Sequence, residues 1–320
     1  MGERSRNQKF SDIYSRFGIF FLLAGLIIIC AILSPRFMTS HNLMLILRLN
    51  AIIVIISCGT QVVLLCEEMD FSQGAIAAFA GCAAIMLEGR GWNLPMAVTG
   101  ALMIGVAFGI LNGVVVTKCH IPSFIMTLAT QKIARGIILG YRNGHPAYDI
   151  GKIAWMGQGH VAYVIPTQVF FMILILGLTW FLLNRTSLGR QFYAVGDNTR
   201  AALASGIRAD RIRIIAFIYA GVMSALGGII LMGRIGSGQP SGAEGYEFEA
   251  VTAVIIGGTS LSGGEGNIYG TFAGAIFVGI LNNFMTITRV SSYWQQVVQG
   301  VMIAIVVIID ARIHEKKIKR

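Results

Sequence analysis

The sequence is short of charged residues: Asp, Glu, Lys and Arg make up 12% of its 320 residues, against roughly 25% in soluble domains. A soluble surface needs those missing charges, so the composition argues strongly against a water-soluble globular enzyme. Hydrophobic residues make up 55% of the chain, which excludes disorder because so apolar a chain collapses in water. The composition therefore predicts a polytopic membrane protein.

The signatures of several kinds of chemistry are also absent. The sequence has no GxxxxGK[ST] phosphate-binding loop, no HExxH-like spacing among its 5 histidines and no GxSxG hydrolase nucleophile. Its 5 cysteines include no CxxC pair, which predicts neither a zinc site nor a disulfide framework. We therefore expect no catalytic residue, no metal site and no cofactor in this chain, so that any transport draws its energy from an ion gradient or from another subunit.

Long apolar runs predict an all-α fold of about ten transmembrane helices, since a helix needs about 20 apolar residues to cross a bilayer. The eighth run is short and rich in glycine, so a broken or re-entrant segment is an alternative there. The predicted spans cover 18–34, 45–66, 71–88, 95–116, 121–141, 162–183, 212–233, 248–263, 268–287 and 294–311.

The net charge of +10 is unevenly distributed. Basic residues concentrate in the N-terminal segment 1–17, in the connection 184–211 and in the C-terminal segment 312–320. Because basic loops stay on the cytoplasmic side, the pattern predicts two cytoplasmic tails around a transmembrane domain 18–311, with 184–211 as a cytoplasmic loop. Nucleic-acid binding is the alternative for a basic chain, but no single basic stripe supports it.

One motif occurs twice. Gly109-Ile-Leu-Asn112 recurs 170 residues later as Gly279-Ile-Leu-Asn282. The copies lie five predicted spans apart and would run in opposite directions, as in the inverted repeats of transporters. Chance similarity within an apolar chain is the alternative.

Glycine patterns predict close packing. The series Gly105-x-x-x-Gly109-x-x-x-Gly113 and Gly270-x-x-x-Gly274 are typical of helix–helix contact faces. Leu261-Ser-Gly-Gly-Glu265 resembles the signature of ABC ATPases, but that signature functions only opposite a phosphate-binding loop, which this chain lacks. We interpret its glycines as allowing tight turns and close helix approach.

The loop 184–211 contains a predicted short helix. Asp197 or Asn198 can cap its start, the alanines that follow favour it, and Gly206 can end it in a left-handed conformation. The small alanines would let a partner surface approach closely, whereas an ordinary amphipathic loop helix is the alternative.

This loop carries a resemblance. Ala201-Ala202-x-x-x-Gly206 resembles the cytoplasmic loop of ABC importer permeases, although Arg200 stands where that family usually has Glu. Longer strings resemble the ribose/galactose/arabinose-type permeases, which are related to branched-chain amino acid permeases, and the similarity covers about 40–311. These strings are Tyr193-Ala-Val-Gly-Asp-Asn198, Tyr246-Glu-Phe-Glu249, Ile121-Pro-Ser-Phe-Ile-Met-Thr-Leu128 and Ser291-Ser-Tyr-Trp-Gln-Gln296.

The resemblance implies a monosaccharide importer subunit in a bacterial plasma (inner) membrane. By resemblance, the chain pairs with a second permease copy or paralogue, receives a ribose-like sugar or small polyol from an extracytoplasmic binding protein, and contacts an ABC ATPase subunit that binds ATP and Mg. The segment that would contact the ATPase comprises Gly196, Asp197, Asn198, Arg200, Ala201, Ala202, Ser205 and Gly206. A branched-chain amino acid or other small-solute permease is one alternative, and a gradient-driven secondary transporter is another.

Polar residues within spans are costly in a bilayer and are therefore functional candidates. Their side chains could bind sugar hydroxyls in the path, whereas hydrogen bonding between helices is the alternative for each. The candidates are Asn112, Gln131, Arg135, Asn282, Asn283 and Asp70.

One stretch departs from the family pattern. The usual Gly-x-Asp-Leu-Ser is Glu68-Met69-Asp70-Phe71-Ser72 here, with Glu68 in place of the glycine and Glu67 before it. These acids could tune the substrate or lie at the inner surface without a role, and in a secondary transporter they would join Asp70 as ion sites.

Overall fold

The computed structural model describes residues 2–318, without the side chains of 2–17, 309, 311 and 313–318. Residues 1 and 319–320, the ends of the two predicted cytoplasmic tails, lie outside the described residues.

The described chain is mostly helical, with a short 3-10 helix, Gly151–Ile153, and a hairpin of β1 (His160–Val161) and β2 (Ile165–Pro166). The α-helices are α1 (Gly2–Leu33), α2 (Ser40–Leu65), α3 (Gln73–Gly89), α4 (Leu94–Cys119), α5 (Ser123–Arg142), α6 (Ala154–Gln158), α7 (Thr167–Arg185), α8 (Ser187–Asp197), α9 (Thr199–Ala204), α10 (Ala209–Ile235), α11 (Tyr246–Ile256), α12 (Ile268–Ile287) and α13 (Ser292–Ile318).

A helix lies at each of the ten predicted positions, and the all-α fold is confirmed. Within the part of the chain that the structure describes, five helices, α2, α4, α7, α10 and α12, are long and apolar enough to cross a membrane, which fits a polytopic membrane protein. The eighth predicted span is the exception. Its helix, α11, has 11 residues and is about 16 Å long at 1.5 Å per residue, too short for a hydrocarbon core of about 30 Å. The predicted range 248–263 is thus not one continuous crossing helix.

The centre of the bundle is α10, which packs against α2, α3 and α4. Glycines of α4 make its contact with α10 close. A Cβ on Gly105 would overlap Gly221, and a Cβ on Gly109 would lie 2.6 Å from the Cα of Ile218. The predicted packing role of this glycine series is confirmed, because small residues let two helix backbones approach.

The second glycine series has the same role. Gly270 and Gly274 of α12 lie against Gly257 and Ala253 at the end of α11, where a Cβ would overlap a carbonyl oxygen. Farther along α12, Gly279 lies directly against the side chain of Asn50 in α2. The packing interpretation of Gly270-x-x-x-Gly274 is therefore confirmed.

Helix contacts in the two halves of the chain correspond to each other. The helix α4 packs on α10 and α3, and α12 packs on α2 and α11. Likewise α3 contacts α5, and α11 contacts α13. If α2–α5 and α10–α13 are exchanged, each of these contacts maps onto another one, as an internal repeat requires.

At the end of the bundle opposite α9, the connection from α5 to α7 is compact. It contains the 3-10 helix, α6 and the hairpin, and a backbone bridge joins Ala147 to Gly238 before α11. The Glu88 carboxylate at the end of α3 accepts hydrogen bonds from the amides of Lys152 (2.5 Å) and Ile153 (2.9 Å). These contacts fix the connection to the ends of α3 and α10.

Candidate functional site

The predicted loop helix is present as α9. The cap is Asn198 rather than Asp197: its Oδ1 accepts a hydrogen bond from the Ala201 amide at 3.0 Å. Gly206 follows the helix with φ +83°, a conformation that glycine adopts without steric cost. The predicted helix and its left-handed end are thus confirmed.

The helix α9 has one side that is buried against the bundle and one side that is exposed. Of the eight residues expected to contact an ATPase, Gly196 and Ala202 are buried, and the other six are exposed: Asp197, Asn198, Arg200, Ala201, Ser205 and Gly206. Ala202 is 4% exposed and packs in an apolar cluster with Val195 and Ile212. Leu203, which sequence analysis did not single out, is 55% exposed beside them. The helix therefore exposes a small, partly apolar surface, and its opposite side, through Ala202, forms a base that is buried in the bundle.

Main-chain contacts hold the end of α8 in place. Gly196 lies so close to Leu65 that a Cβ would overlap the Leu65 carbonyl oxygen and lie 2.6 Å from the Gly264 nitrogen. The Gly264 amide donates a hydrogen bond to that same carbonyl at 3.1 Å, and the Tyr193 hydroxyl donates to the Gly266 carbonyl at 2.9 Å. The end of α2, the end of α8 and the loop 257–267 thus meet here through main-chain atoms, and Tyr193 adds one side-chain contact.

The glycine-rich loop 257–267 is structural, as predicted. Gly258, Gly263, Gly264 and Gly266 all have positive φ angles, so the chain turns tightly where other residues would be strained. The loop borders an open cavity of about 450 Å³ beside α9. Its lining residues are Glu67, Gly196, Asp197, Asn198, Thr199, Arg200 and Ser262.

Next to this cavity, Glu68 makes a partly buried ion pair. Its Oε1 lies 3.1 Å from Nε of Arg213 in α10, and the two side chains are 13% and 21% exposed. Burial raises the pKa of Glu68, an effect that a hydrogen bond with Ser123 and the guanidinium of Arg213 oppose. Glu67 is exposed, so the two acidic residues differ: Glu67 lies at the surface, and Glu68 is partly buried and paired with Arg213.

A buried polar network brings two of the path candidates together. Asn112 of α4 donates from Nδ2 to Oγ of Ser72 at 2.9 Å, and its Oδ1 accepts from the Thr130 hydroxyl of α5 at 2.6 Å. Asp70 accepts a hydrogen bond from the amide of Ser72 at 2.8 Å. Asn112 and Asp70 are 0% and 1% exposed, so these groups bind each other in the interior.

The adjacent asparagines of α12 have different partners. Asn282 is half-buried and donates to Oε1 of Glu249 at 3.3 Å, while Gln299 of α13 donates to the same oxygen at 3.0 Å. Asn283 is buried and exchanges two hydrogen bonds with Asn42 of α2, at 2.9 and 3.1 Å. Asn283 thus ties two helices together, whereas Asn282 belongs to a partly accessible cluster.

The last two path candidates lie on α5 and are half-buried. Gln131 donates to Oε1 of Glu247 at 2.7 Å. Arg135 donates from Nη1 to the carbonyl oxygens of Pro240 and Gly242, both at 2.7 Å. Both residues connect α5 to the start of α11.

Sequence analysis missed Glu247 and Glu249. Glu247 is 1% exposed, and Glu249 is the common partner of Asn282 and Gln299. The rule that selected the other candidates, a polar residue within a span, would have found Glu249 within 248–263. Among the side chains that the structure describes, no cluster of His, Cys, Asp or Glu could hold a metal ion.

Comparison with known proteins identifies the family. Residues 42–307 match the family model described as branched-chain amino acid transport system / permease component. The chain belongs to this permease family. No solved structure matches it significantly.

Individual relatives of the permease match along nearly their whole length. The ribose import permease of Escherichia coli (strain K12) is 39% identical over 90% of this chain and 91% of its own. The ribose import permease of Bacillus subtilis (strain 168) is 38% identical over 95% of each chain. The D-allose transport system permease of Escherichia coli (strain K12) is 34% identical over 96% of this chain and 94% of its own. The resemblance inferred from the motifs is thus confirmed, and the permease is a multi-pass protein of a bacterial plasma (inner) membrane.

Asn282 and Asn283 allow a test that distinguishes a helix-packing role from a path-lining role. Replacing Asn283 with Leu removes both hydrogen bonds to Asn42 and is expected to cost about 1–2 kcal/mol of stability, seen as a lower thermal midpoint in detergent. Uptake per folded molecule should remain unchanged. The neighbouring Asn282→Leu is the matched variant, because Asn282 lies in the accessible cluster. A larger loss of uptake in Asn283→Leu than in Asn282→Leu, at equal folded amounts, would contradict this assignment.

Proposed function

We propose that the permease is the membrane subunit of a binding-protein-dependent ABC importer for a monosaccharide, a ribose-like sugar or a related small polyol. The observation that carries this proposal is the similarity to permeases named for ribose and D-allose along at least 90% of the chain. The exposed helix α9, seated on a buried base, supports a docking role for the loop 184–211.

In this mechanism the chain performs no bond chemistry. A separate ATPase subunit binds ATP and Mg and contacts the exposed residues of α9, and a sugar-binding protein delivers substrate at the opposite end. Two permease copies, or a permease and a paralogue, form the path between them. Changes in the ATPase then open the path to each side in turn, which requires differential binding of the ATPase to the two states.

For the membrane topology, we propose ten membrane segments with both termini in the cytoplasm, α11 crossing together with the loops on either side of it. Irregular backbone is tolerated at membrane depth where protein surrounds it, and seven of the 11 residues of α11 are buried in a helix that packs against α2, α12 and α13. The matching helix contacts support an inverted repeat of α2–α5 and α10–α13, with Gly109 against α10 and Gly279 against α2 as corresponding contacts.

Within the path, we assign the half-buried polar groups to sugar hydroxyls. Gln131, Arg135 and Asn282 keep partial access, and amide and guanidinium groups can exchange their present partners for hydroxyls. The fully buried candidates Asn112, Asn283 and Asp70 would instead hold the helices around the path.

A branched-chain amino acid is the second candidate substrate, because the family model carries that description. The test is uptake in proteoliposomes that contain the permease, its cognate ATPase and its binding protein. Radiolabelled ribose and leucine are offered separately, with ATP inside the vesicles. We expect ATP-dependent ribose uptake. ATP-dependent leucine uptake alone would favour the second candidate, and gradient-driven uptake by the permease without its ATPase would reject the ABC mechanism.

A further inference from the structure

The connection 66–72 lies between the loop 184–211, which contains α9, and α5. At one end it approaches α9 through Glu68, and farther along it follows the first turns of α5. The Met69 amide donates to Oγ of Ser123 at 3.0 Å, and the Phe71 amide donates to Oγ1 of Thr127 at 3.1 Å. The connection is therefore fastened to α5 by side chains of α5 itself.

Arg213 makes the corresponding connection to α9. Its Nη2 donates to Oγ1 of Thr199, the first residue of α9, at 3.1 Å. Its Nε lies 3.1 Å from the Glu68 carboxylate, and the residue after Glu68, Met69, is bound through its amide to Ser123, the first residue of α5. The Glu68 carboxylate thus contacts the residue that binds α9, and it lies beside the main-chain group that is bound to the first residue of α5.

We propose that Glu68, paired with Arg213, is the positioning residue through which a displacement of α9 reaches α5. This inference rests on the proposed function, because it assigns the route by which ATPase movement would reach the path. Beyond Glu68 the route continues through Asp70 and Ser72 to Asn112 and Thr130, a further contact with α5.

Fold stability alone does not account for this carboxylate. A partly buried ion pair must offset the desolvation of both charges, and apolar side chains often stabilise such a place equally well. The family that the motifs resemble usually has glycine at this position, which implies that the connection can be built without an acid. A charged pair does supply a short contact, 3.1 Å here, between α10 and the connection 66–72.

The chain offers a matched control. Lys118 of α4 and Asp210 of α10 form an ion pair of 2.8 Å at the same end of the bundle, with side chains 62% and 46% exposed. It also joins α10 to another helix, but it contacts neither α9 nor the connection 66–72. Exposed pairs contribute little to stability, so its loss should leave coupling unchanged.

The experiment measures ribose uptake per ATP hydrolysed in proteoliposomes of the complete transporter. The variants are Glu68→Gln, Arg213→Gln, the swapped double variant Glu68→Arg with Arg213→Glu, and the control Lys118→Gln. In Glu68→Gln and Arg213→Gln we expect the ratio to fall about fivefold or more, the scale of mutations that act on coupling between sites. ATP hydrolysis by the assembled complex should persist, the double variant should recover most of the ratio, and the control should match the wild type.

If Glu68→Gln does not assemble, Glu68→Gly, which restores the family pattern, takes its place in the same measurement. A wild-type ratio in the assembled Glu68 variant, or a double variant no better than either single change, overturns the inference. Failure of the proposed function is a separate result, because the wild-type complex would then show no ATP-dependent uptake at all.

Discussion

Replacing Leu203 with Asp is expected to abolish ATP-driven uptake while membrane insertion stays normal. Leu203 is 55% exposed on α9, next to the exposed Ala201, so a docked ATPase would bury it. A hot-spot residue at an interface costs about 2 kcal/mol or more when it is lost, and a carboxylate adds the penalty of burying an unpaired charge. At 1.4 kcal/mol per tenfold, we expect ATPase affinity to fall about thirtyfold or more, measured by co-purification and uptake.

Leu203→Met is the control for this experiment, because it keeps an apolar side chain and a high helix propensity. It should retain both co-purification and uptake. Normal uptake in Leu203→Asp would remove α9 from the docking surface. Ala202→Glu and Gly206→Val are weaker tests of the same role, since Ala202 is buried in the base of α9 and Gly206 has a positive φ that Val would strain.

Replacing Gly109 with Val is expected to destabilise the helix bundle by about 3 kcal/mol or more, at the upper end of the cost of overpacking. A Cβ there would lie 2.6 Å from both the Ile218 Cα and the Phe217 carbonyl oxygen. Backbone atoms cannot rotate away, so α4 and α10 would have to separate. The measurement is the thermal midpoint of the permease purified in detergent, together with the yield of monodisperse protein.

Gly177→Val in α7 is the matched control for Gly109→Val. Gly177 is also a helical glycine, but it has no heavy atom within 4 Å of an added Cβ. Its substitution should change the midpoint little. Equal midpoints for the two variants would show that the contact between α4 and α10 yields more easily than its geometry indicates.

Sequence reasoning found the features that depend on local patterns. Apolar runs gave the positions of the long helices, because a bilayer-length helix is specified by its own composition. Capping and glycine chemistry gave α9, since Asn198 and Gly206 act within one or two turns. The spacing of Gly105, Gly109 and Gly113 gave a packing face for the same reason.

What the sequence could not give depends on residues far apart in the chain. Asn42 and Asn283 are separated by 241 positions, and nothing in either local sequence indicates the other. Adjacent asparagines at 282 and 283 look alike in sequence, yet only the three-dimensional packing makes one accessible and the other buried. The end of α11 at Ile256 also depends on tertiary contact, because Gly257 must lie directly against Gly270.

The junction of Leu65, Gly196 and Gly264 has a mechanical consequence. A loop with so many glycines would ordinarily be a flexible connection between two helices. Here Gly196 and Gly264 instead let one peptide group lie directly against another, and a peptide plane is far stiffer than a side chain that can change rotamer. We therefore expect a displacement of the end of α8 to be transmitted with little loss, so that the end of α2, the end of α8 and the loop 257–267 move together.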